Sequence, residues 1–123
     1  ACKDLQPALL EWLAAAHANP RLNPVSRDQI RMNYGQVCLE ADRYPQGLAW
    51  VRSVYRHSGQ VVYRLMEANF LMLQGELDAA AGVLADVARM PRLTATDREH
   101  IAVLNDAILA RRTASPGPRK GPG

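Results

Sequence analysis

The 123-residue chain repeats its own pattern at an offset of 33 positions. Gly35 falls on Ala68, Cys38 on Leu71, Asp42 on Gly75 and Tyr44 on Leu77. Further on, Gly47 falls on Ala80, Val51 on Leu84 and Val54 on Val87. A unit of this length holds two helices and a turn. It cannot bury both of its faces alone, so such units stack side by side. Small residues at Gly35/Ala68 and Gly47/Ala80 let the two helices of a hairpin approach closely, while larger neighbours fill the grooves. The repeat therefore predicts an all-α chain of antiparallel helical hairpins stacked as a short solenoid.

Start and stop signals divide the chain into six helices. The first runs over 5–18, with Pro7 tolerated in its first turn and Leu9, Leu10, Leu13 and Ala16 at helical spacing; Asn19-Pro20 ends it. The second opens at Ser26, with Gln29 three residues on in a capping-box arrangement, and reaches about Asp42. The third spans Tyr44 to Ser58, where Gly59 supplies a left-handed helix end. The fourth, over 61–74, is apolar almost all round and is expected at the centre. The fifth, over 77–90, is Ala-rich and stops at Pro91. The sixth opens at Thr96, with Glu99 as a second capping box, and ends near Arg111-Arg112, where cations favour the helix dipole. The expected domain covers 1–112, with repeat units at about 26–58 and 61–92 between flanking helices 5–18 and 96–112. Residues 113–123, TASPGPRKGPG, read as a flexible Pro/Gly-rich tail.

A chain of this length can bury a core without metals or disulfides. Its hydrophobic share of 48% rests mostly on Ala, Leu and Val, and only 6% is aromatic, which favours helices. The net charge is +3. Residues 19–58 hold six arginines against three acids, but these arginines are scattered among apolar positions. A nucleic-acid domain carries a denser basic stripe with stacking aromatics, so nucleic acid is not the expected partner. Two cysteines are too few for a disulfide framework. Cys2 and Cys38 could pair, or Cys38 could be a small buried hydrophobe on its apolar stripe; the Ala1-Cys2 pair is also compatible with a lipidated bacterial terminus. No apolar run reaches the length of a membrane span, so no insertion of this segment is expected.

The residues of the second unit, Ala68, Leu71, Gly75, Leu77, Ala80, Leu84 and Val87, resemble the tetratricopeptide repeat family, whose unit is about 34 residues long. Pro91 lies close to that family's terminal proline. The first unit matches at Gly35, Tyr44 and Gly47, with Cys38 where a bulky residue is usual. The resemblance covers about half the chain. It implies a partner-binding groove lined by the first helix of each pair: Gln29, Met32, Gln36 and Leu39, then Val62, Leu65, Asn69 and Met72. This surface of apolar side chains and amides suits an extended peptide or a partner helix. The subgroup that clamps a C-terminal carboxylate has a Lys one turn before the Asn; Leu65 stands there instead, so that ligand is not expected. Burial of the same lining under helices one and six is the competing reading.

Catalytic signals are missing from the pattern. His17, His57 and His100 lie near the ends of separate segments and show no metal-ligand spacing, so each reads as a surface residue. No glycine-rich phosphate loop or nucleophile motif occurs. Glu40/Asp42 and Glu76/Asp78 sit at helix junctions, two apart and on different sides, and read as caps rather than acid/base pairs. The expected function is a non-catalytic protein–protein interaction or scaffolding module without cofactor or metal, open to homo-oligomerisation. Two alternatives stand beside it. The run HANPRLNPVSRDQIRMNYGQ is similar to the opening of extramembranous C-terminal domains of bacterial polytopic glycan polymerases and glycosyltransferases, which tilts the expected location towards the cell envelope. The other alternative is nucleic-acid binding through Arg21, Arg27, Arg31, Arg43, Arg52 and Arg56.

Overall fold

In the computed structural model of the chain, which describes the backbone of residues 2–114 and the side chains of 7–114, six helices follow one another: α1 (Cys2–His17), α2 (Pro24–Glu40), α3 (Tyr44–Ser58), α4 (Val61–Leu73), α5 (Leu77–Ala88) and α6 (Ala95–Ala114). No strand occurs among the described residues. Each helix packs on the next, and α4 also contacts α6. The result is a solenoid-like stack of hairpins with α4 at its centre.

The offset of 33 is a backbone repeat as well as a sequence repeat. α2 ends at Glu40 and α4 at Leu73; α3 begins at Tyr44 and α5 at Leu77. Both turns close the same way. The Arg43 N–H donates to the Cys38 carbonyl at 2.8 Å, and the Glu76 N–H to the Leu71 carbonyl at 2.9 Å. The residue before each donor, Asp42 or Gly75, is left-handed, with φ of 58° and 86°. This is the Schellman closure, which satisfies carbonyls that the end of a helix leaves orphaned.

Cys38, Val51, Leu84, Val87 and Ala80 are fully or almost fully buried in one core with Phe70 and Ala68. Burial pushes the Cys38 thiol up to about 11, against the weaker opposing pull of Arg43. Cys38 is thus the small core hydrophobe that its apolar stripe suggests. The side chain of Cys2 lies outside the described residues.

The glycines of the first unit sit where a neighbouring helix needs room. A Cβ on Gly47 would meet the Phe70 ring of α4, at 2.6 Å from Cε1, and the Cβ of Cys38 at 3.0 Å. A Cβ on Gly35 would strike the Met66 methyl, again on α4. The tightest approaches are to Phe70 and Met66 of the next hairpin, and the approach of Gly47 to Cys38 lies within one hairpin, as the small-residue pattern suggests.

Several helix ends differ from the expected ones by a residue or two. α2 starts at Pro24, because Asn23 accepts from the Ser26 N–H at 2.8 Å and Pro24 supplies a preset φ in the first turn. The Ser26/Gln29 box is not used. Thr94, not Thr96, caps α6: the Asp97 N–H donates to Thr94 Oγ1 at 3.0 Å, and the Thr94 N–H donates to Asp97 Oδ2 at 3.1 Å. An Asp thus takes the acidic place in a reciprocal box. α6 continues through Thr113 and Ala114, which belong to the helix and not to the tail. The remaining tail, 115–123, lies outside the described residues. Glu76 is the N-cap residue of α5 without a side-chain capping bond, and Asp78 lies in the first turn of that helix. Asp78 pairs with Arg112 at 2.6 Å, Glu40 accepts from Gln36, and Asp42 accepts from the Tyr44 hydroxyl.

Both terminal helices leave large apolar side chains in solvent, Val103 and Leu109 on α6 among them. α6 shows solvent Arg98, Glu99, Asn105 and Asp106, a wet outer face of the kind a terminal helix carries. α1 leaves Trp12 64% exposed, with Leu9 beside it.

Candidate partner-binding groove

α2, α4 and α6 enclose a concavity of about 400 Å³. Met32 and Gln36 supply one wall from α2. Val62, Leu65, Met66 and Asn69 form the floor from α4, and His100, Val103 and Leu104 make the far wall from α6. These positions converge because successive turns of a helix place residues three and four apart on one face. The α4–α6 contact then sets the wall against the floor.

The lining is apolar with amides, and it holds no carboxylate, lysine or arginine. Gln36 Nε2 donates to Glu40 Oε2 at 3.2 Å, which leaves the Gln36 carbonyl oxygen as an acceptor. Asn69 is half-buried and its side chain makes no hydrogen bond to the described residues. Its amide offers both a donor and an acceptor to whatever occupies the groove.

Of the eight residues named from the sequence, Met32, Gln36, Val62, Leu65 and Asn69 lie together in this groove. The other three do not line it. Met72 is buried in the core, Leu39 packs half-buried against that core, and Gln29 is exposed and bonds Asn33 on its own helix. The α6 wall went unpredicted. Its helical pattern marked it as an end cover, and only the α4–α6 contact reveals that one flank of it borders the groove. The missing residues share a modest signal: Val103 follows His100 by three positions on a helix whose buried stripe is Ile101 and Ile108.

The histidines divide by position. His57 and His100 are exposed. His17 is half-buried, contrary to the surface reading, because α1 ends against α2 and α3. Its Nε2 accepts from Arg31 Nε at 3.2 Å, and its ring meets Trp50 edge-on at 5.1 Å. Burial, then the charges of Arg31, Arg27 and His57, lower its pKa below 6.5. No cluster that could hold a metal ion occurs among the described residues.

Four of the six arginines considered for nucleic acid, Arg27, Arg31, Arg43 and Arg52, are engaged within the fold. Arg27 donates to the carbonyls of His17, Asn19 and Leu22 and so closes the end of α1. Arg31 holds His17 and Asp28. Arg52 joins Arg64 on the carboxylate of Glu67, at 2.8 and 2.7 Å, and Arg64 reaches on to Asp86. Guanidinium groups held by protein acceptors are weak candidates for a phosphate-tracking stripe. No helix is long and apolar enough to cross a membrane among the described residues. Comparison with protein-family models, curated proteins and solved structures finds no match to this chain.

Proposed function

We propose that the chain is a non-catalytic interaction module of tetratricopeptide type, whose groove between α2, α4 and α6 takes an extended, uncharged peptide segment of a partner protein. The observation that carries this reading is the unpartnered amide of Asn69 on an apolar floor. An extended peptide presents N–H and C=O groups along its length, and an amide side chain satisfies one of each. Val62, Leu65 and Met66 below it, with Met32 and Val103 at the sides, accept apolar side chains. A lining without carboxylate, lysine or arginine disfavours strongly charged segments, which would be desolvated without a counter-charge.

The test is selection of binders from a displayed library of short random peptides, followed by titration against Asn69→Ala and Met32→Glu. Both changes fall on residues outside the fully buried core, so the fold is retained and circular dichroism verifies it. The expected outcome is a set of apolar, charge-poor peptides whose affinity falls about tenfold or more in each variant, the cost of one hydrogen bond or one desolvated charge. Peptides that bind both variants as they bind the parent protein, or selection of strongly charged sequences, would overturn it.

A further inference from the structure

A second, smaller recess of about 200 Å³ opens between α1, α2 and α3. It shares no lining residue with the groove. Pro7, Leu10 and Ala14 give it an apolar side. Its polar groups are ordered by a chain of hydrogen bonds whose direction is fixed. A guanidinium can only donate, so the Gln46 atom facing Arg43 Nη1 at 3.2 Å is the carbonyl oxygen. Gln46 Nε2 is thereby turned to Tyr34 and donates to its hydroxyl at 2.8 Å. An amide nitrogen accepts nothing, so the hydroxyl must send its own hydrogen elsewhere.

No acceptor for that hydrogen occurs among the described residues, although Tyr34 is only 8% exposed. A donor at such depth is expected to find a partner. Arg43 keeps further N–H donors beside it. Glu11 borders the same recess, yet makes no ion pair with Arg43 or any other described residue. Donors and a cation thus face an anion across one small space, and neither side satisfies the other.

We propose that this recess is a binding site for a small zwitterion of the α-amino-acid class. The carboxylate is held by the Tyr34 hydroxyl and the Arg43 guanidinium, and the ammonium lies towards Glu11. The volume is below that of pockets for drug-sized ligands and matches a compound of few heavy atoms. Both charged ends of the ligand meet an opposite charge, which a simple carboxylate or a simple amine cannot achieve.

The experiment is a titration of the full chain, 15N-labelled, with glycine, acetate and methylammonium in turn at constant ionic strength. The side-chain amide of Gln46 is the reporter, since it sits inside the relay. Glycine is expected to give a saturable shift of that signal, with acetate weaker and methylammonium weaker still. Tyr34→Phe and Arg43→Gln each weaken glycine by about tenfold, while Glu11→Gln makes glycine and acetate bind alike. Thermal denaturation of each variant verifies folding, and Glu11→Gln, on an exposed residue, keeps the comparison available if Tyr34→Phe is unstable. The proposal is overturned if glycine gives no saturable shift, if acetate matches glycine on the parent protein, or if Arg43→Gln and Glu11→Gln titrate as the parent does.

Discussion

Asp42 and Gly75, 33 residues apart, hold the same left-handed place in two equivalent helix-ending turns, at φ of 58° and 86°. The first does so with a side chain and the second without one. Asp is among the few L-residues that tolerate this region, and its carboxylate takes a hydrogen bond from the Tyr44 hydroxyl at 2.9 Å. The same turn is thus built by two different means.

From this follows an asymmetry under mutation. Gly75→Ala puts a Cβ into the disfavoured region and is expected to lower the unfolding free energy by about 1–2 kcal/mol. Asp42→Asn keeps both the backbone tolerance and an acceptor for Tyr44, and should stay within about 0.5 kcal/mol of the parent. Urea denaturation of the two variants measures both values.

Gly47 and Gly82 both lie inside helices, yet their alanine variants should move stability in opposite directions. Gly82 has open space around it, so Gly82→Ala gains about 0.5–1 kcal/mol from helix propensity. Gly47→Ala drives a methyl into the Phe70 ring and is expected to cost about 1–3 kcal/mol. Phe70→Leu in the same chain should relieve part of that cost, a coupling of at least about 0.5 kcal/mol in a double-mutant cycle.

Glu67 is the one charged residue buried among the described residues, at 5% exposure, and it binds Arg52 and Arg64 together. Glu67→Ala would leave both guanidinium groups without that acceptor. Arg52 is about half exposed and can rehydrate, so the expected loss is about 2 kcal/mol rather than the larger cost of stranding a fully buried charge. Glu67→Gln retains an acceptor oxygen and should lose less. Calorimetric unfolding of the two variants at equal pH ranks them.

His17 makes stability depend on pH. Its pKa is lowered in the fold by burial and then by Arg31, Arg27 and His57. The unfolded chain therefore takes up the proton first, and stability falls as pH drops from above 6.5 towards the lowered folded value. Denaturant midpoints measured from pH 8 down to pH 5 should decline through this window. His17→Gln should flatten that part of the curve.

The repeat made the two central hairpins legible from the residues alone, because Gly35/Ala68, Cys38/Leu71 and Val51/Leu84 are constrained by packing that sequence periodicity records. The caps were less legible. Ser26/Gln29 and Thr96/Glu99 have the right spacing, but Asn23 lies three residues earlier and Thr94 two, and they reach the free N–H groups first. Five of the eight groove residues, Met32, Gln36, Val62, Leu65 and Asn69, came from the resemblance to the tetratricopeptide pattern and line one concavity. The α6 wall and the Tyr34–Gln46–Arg43 relay were not legible, since they depend on how separate helices meet. His17 shows the same limit: only the approach of α1 to Trp50 and Arg31 buries it.

The proposed docking of a partner peptide is decided in the concavity lined by α2, α4 and α6. Intermolecular nuclear Overhauser effects between a selected peptide and the methionine methyls of the full chain test this directly. Contacts to the methyls of Met32 and Met66, with the Asn69 side-chain amide shifting alongside, are the result expected. Contacts instead to Trp12 and Leu9 on the exposed face of α1, with Met32, Met66 and Asn69 unchanged, would contradict it.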